Sequence, residues 1–402
     1  MIRRKKIAMD LSQVSRIVSR LAEGRRADCA VCILCPGSPE FAGGIGRSVA
    51  NLLAQMAERH PSIAIRFVNT RGSRHIALSP LYFAYAVGQI ALLRLVGRVT
   101  VIHANVASRG STARKFLIVA FASLLRVPTV LHLHGGLFTD FYEGLPGFLK
   151  MGVNWMFCRA DRVVVLGSRT QQFVVDRLGV APGNVAVIRN GVPGPRLNPA
   201  IRVQQAGVPN IVFAGRLGEH KGVGTLLDAL ASPLVIRHPW QATLAGDGNP
   251  GPYQAKAQRL GIASRVEFPG WLDRSRMTAL LEHAKFLVLP SRAEALPMSV
   301  LEALAHGLPV ITTPVGALPD SLVHEKSVLF IEPGNVGALA AAIHRLITDE
   351  AFRRQVAQAG HDAFLRDFDI AVIADQFAEI YRELTDHGPA PRRSRELARR
   401  AA

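Results

Sequence analysis

The sequence predicts an α/β protein of two doubly wound, Rossmann-like domains that face each other across a cleft. Short apolar runs alternate with helical stretches along most of the chain, which is typical of parallel sheets covered by helices on both faces. The chain has 402 residues, of which 49% are apolar, enough for two or three domains with substantial cores. Between two sets of runs, residues 190–195 are dense in glycine and proline, which is typical of a linker.

Each half contains six short apolar runs that we predict to be strands. In the first half they are 30–34, 63–68, 99–103, 129–132, 162–166 and 185–188. In the second half they are 210–213, 241–245, 265–268, 286–289, 310–312 and 328–331. Ligands of open parallel sheets bind beyond the carboxyl ends of the strands. Two facing sheets therefore predict a ligand site in the cleft between the domains.

The same patterns divide the chain into five segments. They are a basic leader at 1–28, an N-terminal domain at 29–194, a C-terminal domain at 195–370, a helix at 371–387 that is expected to return to the N-terminal domain, and a disordered basic tail at 388–402. In the leader, apolar residues recur at helical spacing from Leu11 to Leu21. This spacing is compatible with an amphipathic helix on an anionic membrane, but the stretch is short, and the alternatives are a frayed leader or a start codon assigned too early.

The positive charge is concentrated in one half of the chain. The formal net charge is +18, and residues 1–200 contain 26 Lys and Arg against nine Asp and Glu, whereas residues 201–402 contain 22 against 21. The first half should therefore face an anionic partner, such as a membrane leaflet, a phosphorylated acceptor or a nucleic acid. Nucleic acid is disfavoured, because only 6% of residues are aromatic and no recognisable nucleic-acid-binding motif is present.

Neither a secretory signal nor a membrane-spanning helix is predicted. The N-terminus lacks a continuous apolar segment and a cleavage site. Residues 76–93 contain no charged residue, but Pro80 and polar side chains interrupt them, so we interpret them as a buried crossover helix.

Cys29, Cys32 and Cys35 lie in the apolar run CAVCILC. We interpret them as buried thiols of a strand rather than metal ligands, in keeping with a reducing cytoplasm.

Two carboxylates follow the predicted strand 286–289. Glu294 falls on the loop after the strand, and Glu302 lies within a helix predicted to begin near Pro297 and to end at Gly307. The free N–H groups at the start of such a helix suit an anion, and carboxylates accept hydrogen bonds from sugar hydroxyls. A capping box with a solvated helical Glu is the alternative, but it accounts for only one of the two carboxylates.

Three further groups follow predicted strands. Arg216 and Lys221 come after the strand 210–213 and before a helix predicted near Val223; arginine binds phosphate as a planar fork and lysine as a point charge. A glycine-rich turn that includes Gly43 and Gly44 follows the first strand and opens a helix, which lets the backbone approach a ligand closely. His134 follows the strand 129–132. Alone, each has an ordinary structural explanation.

Together these motifs resemble glycosyltransferase family 4, the retaining nucleotide-sugar transferases with the GT-B fold. The eight-residue spacing of Glu294 and Glu302 is similar to the E-x7-E signature of that family. GRL…KG at 215–222, the GG loop at 41–46 and HG at 134–135 follow the family order, and the likeness covers about 30–375. The resemblance implies that Glu294 contacts the transferred sugar and that Glu302 binds the nucleotide ribose.

The resemblance also assigns the remaining donor-side residues. It implies that Arg216 and Lys221 hold the donor diphosphate, that the glycine pair lies against the phosphates and sugar, and that His134 approaches the reacting carbon. The chain departs from the family pattern at two positions here: Ala295 stands where glycine is usual, and Gly46-Arg47 replaces an acidic-Arg pair. Neither removes a catalytic group. The full set predicted to bind the donor is Gly43, Gly44, Arg216, Lys221, Ala295, Leu296 and Glu302, with His134 and Glu294 as catalytic residues.

The expected reaction transfers a sugar from a nucleoside-diphosphate sugar to an acceptor hydroxyl, without a metal or other cofactor. Retention of anomeric configuration is implied by the family alone. In such enzymes the N-terminal domain receives the acceptor, often a lipid-linked sugar or a saccharide. We predict Arg109, Arg114 and Lys115, at a basic helix start, as contacts of an acceptor phosphate; a solvated helix start is the alternative.

These inferences predict a cytoplasmic enzyme, peripheral on the inner face of the membrane, that builds a cell-surface polysaccharide. Two alternatives of the same fold are a sugar-phosphate synthase and a nucleotide-sugar epimerase. A basic nucleic-acid-binding protein is a more remote alternative.

Overall fold

A computed structural model of the chain describes residues 29–35, 43–70, 79–195 and 207–387. The predicted amphipathic leader, the basic tail and the first two residues of the glycine-rich loop lie outside these ranges. All twelve predicted strands are present, so the prediction of two parallel α/β sheets is confirmed.

The first sheet has six parallel strands in the order β2-β1-β3-β4-β5-β6. Its strands are β1 Cys29–Cys35, β2 Ile63–Asn69, β3 Val101–Val106, β4 Thr129–Leu133, β5 Arg162–Val165 and β6 Val185–Val187. Its helices are α1 Gly43–Arg59, α2 Ser79–Leu95, α3 Gly110–Leu124, α4 Phe138–Glu143, α5 Gly147–Arg159 and α6 Ser168–Asp176. Because the chain reverses direction across the sheet after β2, right-handed crossovers place α1 on one face and α2 to α6 on the other.

The second sheet has six parallel strands in the order β12-β11-β10-β7-β8-β9. Its strands are β7 Asn210–Ala214, β8 Gln241–Ala245, β9 Val266–Gly270, β10 Phe286–Leu289, β11 Val310–Thr312 and β12 Leu329–Phe330. Its helices are α7 Val223–Leu230, α8 Pro233–Ile236, α9 Gly251–Arg259, α10 Arg274–His283, α11 Met298–Ala305, α12 Val336–Thr348 and α13 Glu350–Asp367. The order of strands reverses between β7 and β10, as it does between β1 and β3 in the first sheet.

The chain passes between the two sheets twice, at neighbouring positions. The second passage follows α13, where Val192 and Asp369 form a parallel bridge. The last described helix, α14 Ile370–His387, then packs against α1 on the first sheet. Asp375 of α14 there accepts hydrogen bonds from the Arg59 guanidinium at 2.7 and 3.1 Å. The carboxyl-terminal helix thus ties the second half of the chain to the first.

The strand with the largest difference from its prediction is β3. The sequence pattern ends it at His103, because His103 and Asn105 are polar, yet the strand continues to Val106 with every residue buried. Both polar side chains are hydrogen-bonded inside the domain, His103 to the Tyr381 hydroxyl at 2.6 Å and Asn105 to the Leu34 carbonyl at 3.2 Å. Because both side chains find hydrogen-bond partners inside the fold, burying them does not carry the free-energy cost of an unpaired polar group.

The cysteines of β1 lie in its buried interior. Burial raises the pKa of Cys32 to about 12 and the pKa of Cys35 to about 11, so both thiols hold their protons and are poor metal ligands. The apolar residues 79–93 belong to α2, a crossover helix between β2 and β3. In the described part of the chain, no helix has the length and hydrophobicity needed to span a membrane.

Candidate active site

The strand order reverses between β1 and β3 in the first sheet and between β7 and β10 in the second. The candidate site lies where the carboxyl ends of these two pairs of strands face one another. Ligands of doubly wound sheets bind at this position. Several close approaches cross the cleft there, among them Gly44 to Met298, Arg47 to Glu302, Gly136 to the backbone of Glu294 and Ala295, and Ser168 to Asp320.

Lys221 and Glu294 form an ion pair on the second-domain side of the cleft. Lys221 ends a short 3₁₀ turn after β7, and Glu294 lies on the loop after β10. Gly222 brings the two loops together, because it has φ of 72° and a side chain there would meet the Pro290 carbonyl oxygen at 2.2 Å. The side chains of the pair are 19% and 14% exposed. Two residues that are 73 positions apart thus share one partly buried site.

Glu302 lies on α11 and presents one unpartnered oxygen. Its Oε1 is 3.4 Å from Nη2 of Arg47, which belongs to α1 of the first domain. Its Oε2 is buried and has no hydrogen-bond partner among the described residues. Burial raises the pKa of Glu302, and the nearby Arg47 guanidinium partly opposes this rise. A buried acceptor of this kind requires a donor, which a ligand hydroxyl would supply.

Arg216 stands apart from the Lys221–Glu294 pair. Its side chain is 68% exposed, and its Nε is 4.0 Å from Oδ2 of Asp247. Asp247 follows β8 and its carbonyl accepts a hydrogen bond from the Leu217 N–H at 2.7 Å. The structure therefore puts the two predicted diphosphate cations on one loop but in different environments, with Lys221 paired and Arg216 largely in solvent.

The backbone at Ala295 and Leu296 is fixed from both domains. The Ala295 carbonyl accepts a hydrogen bond from the Ala317 N–H at 2.8 Å. A Cβ on Gly136 would come within 2.7 Å of the Ala295 nitrogen, so only glycine fits at position 136. Leu296 is buried in the core of the second domain. The backbone nitrogen of Ala295 therefore lies next to the first domain, at a close approach across the cleft.

His134 follows β4 and is buried at the base of the cleft. Its Nε2 is 2.7 Å from Oδ1 of Asn105, and its Nδ1 is buried without a hydrogen-bond partner among the described residues. Burial lowers the pKa of His134 to about 3, so the ring is neutral at physiological pH. His132 packs against the His134 ring, with centroids 3.8 Å apart, and its Nδ1 contacts His103 Nε2 at 3.3 Å. His132 is thus part of the core.

The glycine pair Gly43 and Gly44 opens α1 and is exposed. A Cβ on Gly44 would lie 3.9 Å from Cγ of Met298, the first residue of α11. The amino-terminal ends of α1 and α11 therefore meet across the cleft. Both ends carry the partial positive charge of a helix N-terminus.

The three predicted acceptor-side cations do not form one exposed cluster. Arg109 is exposed and has φ of 60°, and Arg114 is half-buried. Lys115 is completely buried, and its Nζ donates a hydrogen bond to Thr70 Oγ1 at 3.0 Å. Burial lowers the pKa of Lys115 to about 7. The expectation of a surface contact at Lys115 is corrected, because its position on α3 points into the domain.

Sequence reasoning missed the roles of Arg47, Asn105 and Gly136. Arg47 stands at a departure from the family pattern, and the second glycine of His134-Gly135-Gly136 was visible in the motif but unassigned. Asn105 offered only its place at the carboxyl end of β3. A polar residue at a strand end beside the expected cleft is the signal that would have found it.

Two family models match the chain. "Glycosyl transferase 4-like domain" matches residues 14–191, and "Glycosyl transferases group 1" matches residues 208–349. Among curated relatives, the glycogen synthase of Mycobacterium tuberculosis is 29% identical over 272 residues, which are 65% of this chain and 65% of the relative. An exopolysaccharide phosphotransferase of Streptomyces coelicolor is 33% identical over 249 residues, which are 60% of this chain and 25% of the relative. The matches thus span less than two thirds of these relatives.

Among solved structures, Anabaena HepE in complex with UDP and glucose superposes with a TM-score of 0.66 and 20% identity, over 88% of this chain and 99% of that one. This likeness concerns the fold. It agrees with the arrangement of two parallel six-stranded sheets across a cleft.

Proposed function

Because the chain belongs to the group 1 glycosyl transferases and has the GT-B fold, we propose that it moves a sugar from a nucleoside-diphosphate sugar to an acceptor hydroxyl with retention of configuration. The observation that carries the proposal is the ion pair of Lys221 and Glu294 in the cleft, together with the neutral His134 on the other side, two residues before the Gly136 that approaches the Glu294 backbone. In such a donor, the cation suits the diphosphate, and the carboxylate and the neutral acceptor suit the hydroxyl groups of the sugar.

The proposed roles follow from charge. Negative charge accumulates on the departing diphosphate, and Lys221, Arg216 and the N–H groups at the start of α11 are the nearby positive groups. Preorganised donors of this kind contribute roughly 3 kcal/mol each to transition-state stabilisation. We assign no metal to the reaction, since these groups supply the positive charge. Retention follows from the family, and the anomeric configuration of the product, read by NMR, tests it.

The donor proposal is tested by a thermal-shift panel of UDP- and GDP-linked sugars. We expect at least one sugar nucleotide to stabilise the wild type, and Arg216→Ala and Glu294→Ala to reduce that stabilisation. Arg259→Ala is the matched control, because Arg259 is an exposed arginine of α9 in the same domain. The proposal fails if no sugar nucleotide stabilises the wild type, or if Arg216→Ala responds to the panel as Arg259→Ala does.

For the acceptor, we propose a lipid-linked sugar or a saccharide of a cell-surface polysaccharide. The relative named an exopolysaccharide phosphotransferase supports a cell-surface product, and the relative named a glycogen synthase supports a saccharide acceptor in general. Product analysis with a free oligosaccharide, a polyprenyl-diphosphate sugar and a phosphorylated monosaccharide tests it. A sugar-phosphate product would assign a synthase instead, and an isomerised donor without transfer would assign an epimerase.

We further propose that the enzyme works at the inner face of the membrane, held by the outer surface of α2, α3 and α5. Phe116 of α3 packs on Trp155 of α5, and Arg94 of α2 contacts the Leu125 carbonyl after α3, so the helices form one surface. Five apolar side chains there are each at least 69% exposed: Leu81, Leu95, Leu124, Phe148 and Met151. These three helices contain no Asp or Glu.

Exposed apolar side chains beside cations suit an anionic lipid surface. Exposed Arg94 and Arg126 lie beside Leu95 and Leu124. Vesicle flotation tests the proposal: we expect binding to vesicles that contain anionic lipid, and loss of binding when Leu95, Leu124 and Phe148 are all changed to Ser. A control that changes Val323 and Leu365, exposed apolar residues of the second half, should bind normally. Equal flotation of the two variants would refute the proposal.

A further inference from the structure

Asn105 and His134 form a buried polar pair at the carboxyl ends of two neighbouring strands. Asn105 is the penultimate residue of β3, and His134 directly follows β4. The parallel register pairs Val106 with Leu133, and the His134 N–H donates a hydrogen bond to the Val106 carbonyl at 3.0 Å. The backbone of the two strands therefore holds the two side chains next to each other, independently of any ligand.

The orientation of the Asn105 amide is settled by a backbone group. Its Nδ2 donates a hydrogen bond to the Leu34 carbonyl oxygen at 3.2 Å, and a carbonyl oxygen can only accept. The opposite orientation would place two oxygens against each other. The amide oxygen of Asn105 must therefore face His134, where it lies 2.7 Å from Nε2.

The amide oxygen in turn selects the tautomer of His134. An amide oxygen only accepts, so Nε2 of His134 must carry the proton and donate it. In a neutral imidazole the other nitrogen, Nδ1, then has a free lone pair. This Nδ1 is buried and unpartnered among the described residues. Both side chains line a small cavity at the base of the cleft, together with His132 and Arg189.

We propose that Asn105 is a positioning residue that holds His134 as the Nε2–H tautomer, so that Nδ1 accepts a hydrogen bond from a hydroxyl of the sugar being transferred. The tautomer is a property of the free protein. The hydroxyl partner rests on the proposed function and refines it, because it states which atom of His134 meets the substrate and which chemical group it takes.

The surroundings keep the His134 ring neutral. Burial lowers the pKa of His134 to about 3, and three titratable groups lie around it. His132 packs on the ring from β4, His103 stands behind it on β3, and Arg189 lines the cavity from the segment after β6. The Tyr381 hydroxyl of α14 contacts His103, and Lys221 and Glu294 pair with each other on the second-domain side of the cleft, beyond Gly136. An acid introduced at position 105 would be the nearest anion.

The first test is ¹⁵N NMR of histidine-labelled protein without ligand, with the His134 signals assigned by their loss in His134→Gln. We expect the neutral Nε2–H tautomer in the wild type and a mixture of tautomers in Asn105→Ala. In Asn105→Asp the new carboxylate should raise the pH at which His134 protonates by about 1–3 units. The Nδ1–H tautomer in the wild type would overturn the proposal. Asn154→Asp, on α5 of the same domain, is the matched control.

The second test uses the sugar nucleotide that stabilises the wild type most in the thermal-shift panel. Its binding should move the Nδ1 signal of His134, whereas the nucleoside diphosphate alone should leave it unchanged. In Asn105→Asp, kcat/KM for this donor should fall progressively relative to the wild type as the pH is lowered through the value at which His134 of that variant protonates in the NMR titration, because protonated Nδ1 cannot accept a hydrogen bond. A variant that is impaired equally at every pH would indicate a packing role only, and would overturn the proposal.

The two tests separate this inference from the proposed function. The tautomer measurement needs no donor, so it can fail while donor binding and transfer are intact. If no sugar nucleotide binds, the proposed function fails and the hydroxyl contact fails with it, but the assignment of the tautomer by Asn105 stands on the NMR of the free protein.

Discussion

The two sides of the cleft differ in the kind of groups they present, and the difference does not follow the net charges of the two halves of the chain. The first half has the large positive excess, 26 Lys and Arg against nine Asp and Glu, yet its cleft side presents Gly44, Gly136 and a neutral His134, with Arg47 as the cation that meets Glu302. The nearly neutral second half presents Lys221 and Glu294 as an ion pair. Net charge therefore does not locate the reactive face of a domain. The cations of the first half lie largely elsewhere, some on its outer helices.

The difference fits a division of labour in the proposed reaction. A departing diphosphate needs positive charge, which the second domain supplies. The sugar itself is uncharged, and neutral acceptors such as His134 Nδ1 suit its hydroxyls without trapping the diphosphate. Variants that remove charge from the second domain should therefore reduce the rate most, and variants of the first domain should act through geometry.

The largest effect is expected for Lys221→Met. The substitution removes one of the two cations proposed to face the leaving group and leaves the Glu294 carboxylate without its partner. We expect kcat to fall about 100-fold or more, since a preorganised donor at a developing charge contributes roughly 3 kcal/mol. Steady-state kinetics with the stabilising sugar nucleotide measure it.

Lys256→Met is the matched control for this variant. Lys256 pairs with Asp228 through a 2.6 Å contact in the same domain, on the helix α9 rather than on the loops that hold Lys221 and Glu294. We expect it to lower kcat less than twofold, because partly exposed ion pairs outside a site contribute about 0–1 kcal/mol to stability and nothing to the reaction. Similar losses in both variants would show that Lys221 acts only through stability.

The next effect is expected for Gly136→Ala, which tests geometry on the neutral side. The added Cβ would lie 2.7 Å from the Ala295 nitrogen and 2.8 Å from the Glu294 carbonyl carbon, so the two domains must separate slightly. We expect a loss of about 10- to 100-fold in kcat/KM, because small misplacements of reacting groups have effects of this size. Gly147→Ala, at the start of α5, has open space around its Cβ and should be active.

The fold and the second-domain side of the site were largely visible in the sequence. Strands of a parallel sheet are continuous apolar runs, and every predicted run became a strand. The sequence predicts only that Lys221 and Glu294 lie near each other, because both follow strands that end at the same edge of the sheet. It does not predict that they pair. The pair itself depends on how the loop of Gly222 packs on Pro290.

The first-domain side was less visible, for a physical reason. Polar residues such as His103 and Asn105 look like surface residues in a sequence, but inside this domain each finds a specific partner. Lys115 shows the same difficulty, since a lysine at a helix start is usually solvated, yet here it donates to Thr70 in the core. Partners that come from distant strands leave no local pattern, so only the three-dimensional structure identifies them.

A moderate, pH-dependent effect is expected for Arg47→Ala, which breaks a link between the two sides. Burial raises the pKa of Glu302, and the Arg47 guanidinium opposes that rise. Without Arg47 the pKa rises further, so Glu302 gains a proton, and loses an acceptor for hydroxyls, at a higher pH than in the wild type. We expect the donor KM to increase about 5-fold at pH 6 and less at pH 8.

The control for this link is Arg47→Lys, which keeps a positive charge near Glu302. Its donor KM should follow the wild-type pH dependence more closely than that of Arg47→Ala. An Arg47→Ala variant whose KM changes by the same factor at every pH would contradict the electrostatic explanation and would leave only lost packing.

The smallest effect is expected for Asp320→Ala, which removes a contact at the edge of the cleft without touching the charged pair. The Asp320 carboxylate accepts hydrogen bonds from the Ser168 N–H at 2.6 Å and from its hydroxyl at 2.7 Å, and so caps α6 of the first domain from the second. Loss of a cap lowers stability by about 1 kcal/mol, measured by chemical denaturation.

Asp273→Ala is the matched control, because Asp273 caps α10 within its own domain through the Arg276 N–H. Both variants should lose similar stability. Only Asp320→Ala should also raise the donor KM, by about 2- to 3-fold, because its contact with Ser168 helps to hold the two domains together around the donor. If the two variants differ from the wild type only in stability, the contact at Ser168 serves the fold and not the approach of the two sides.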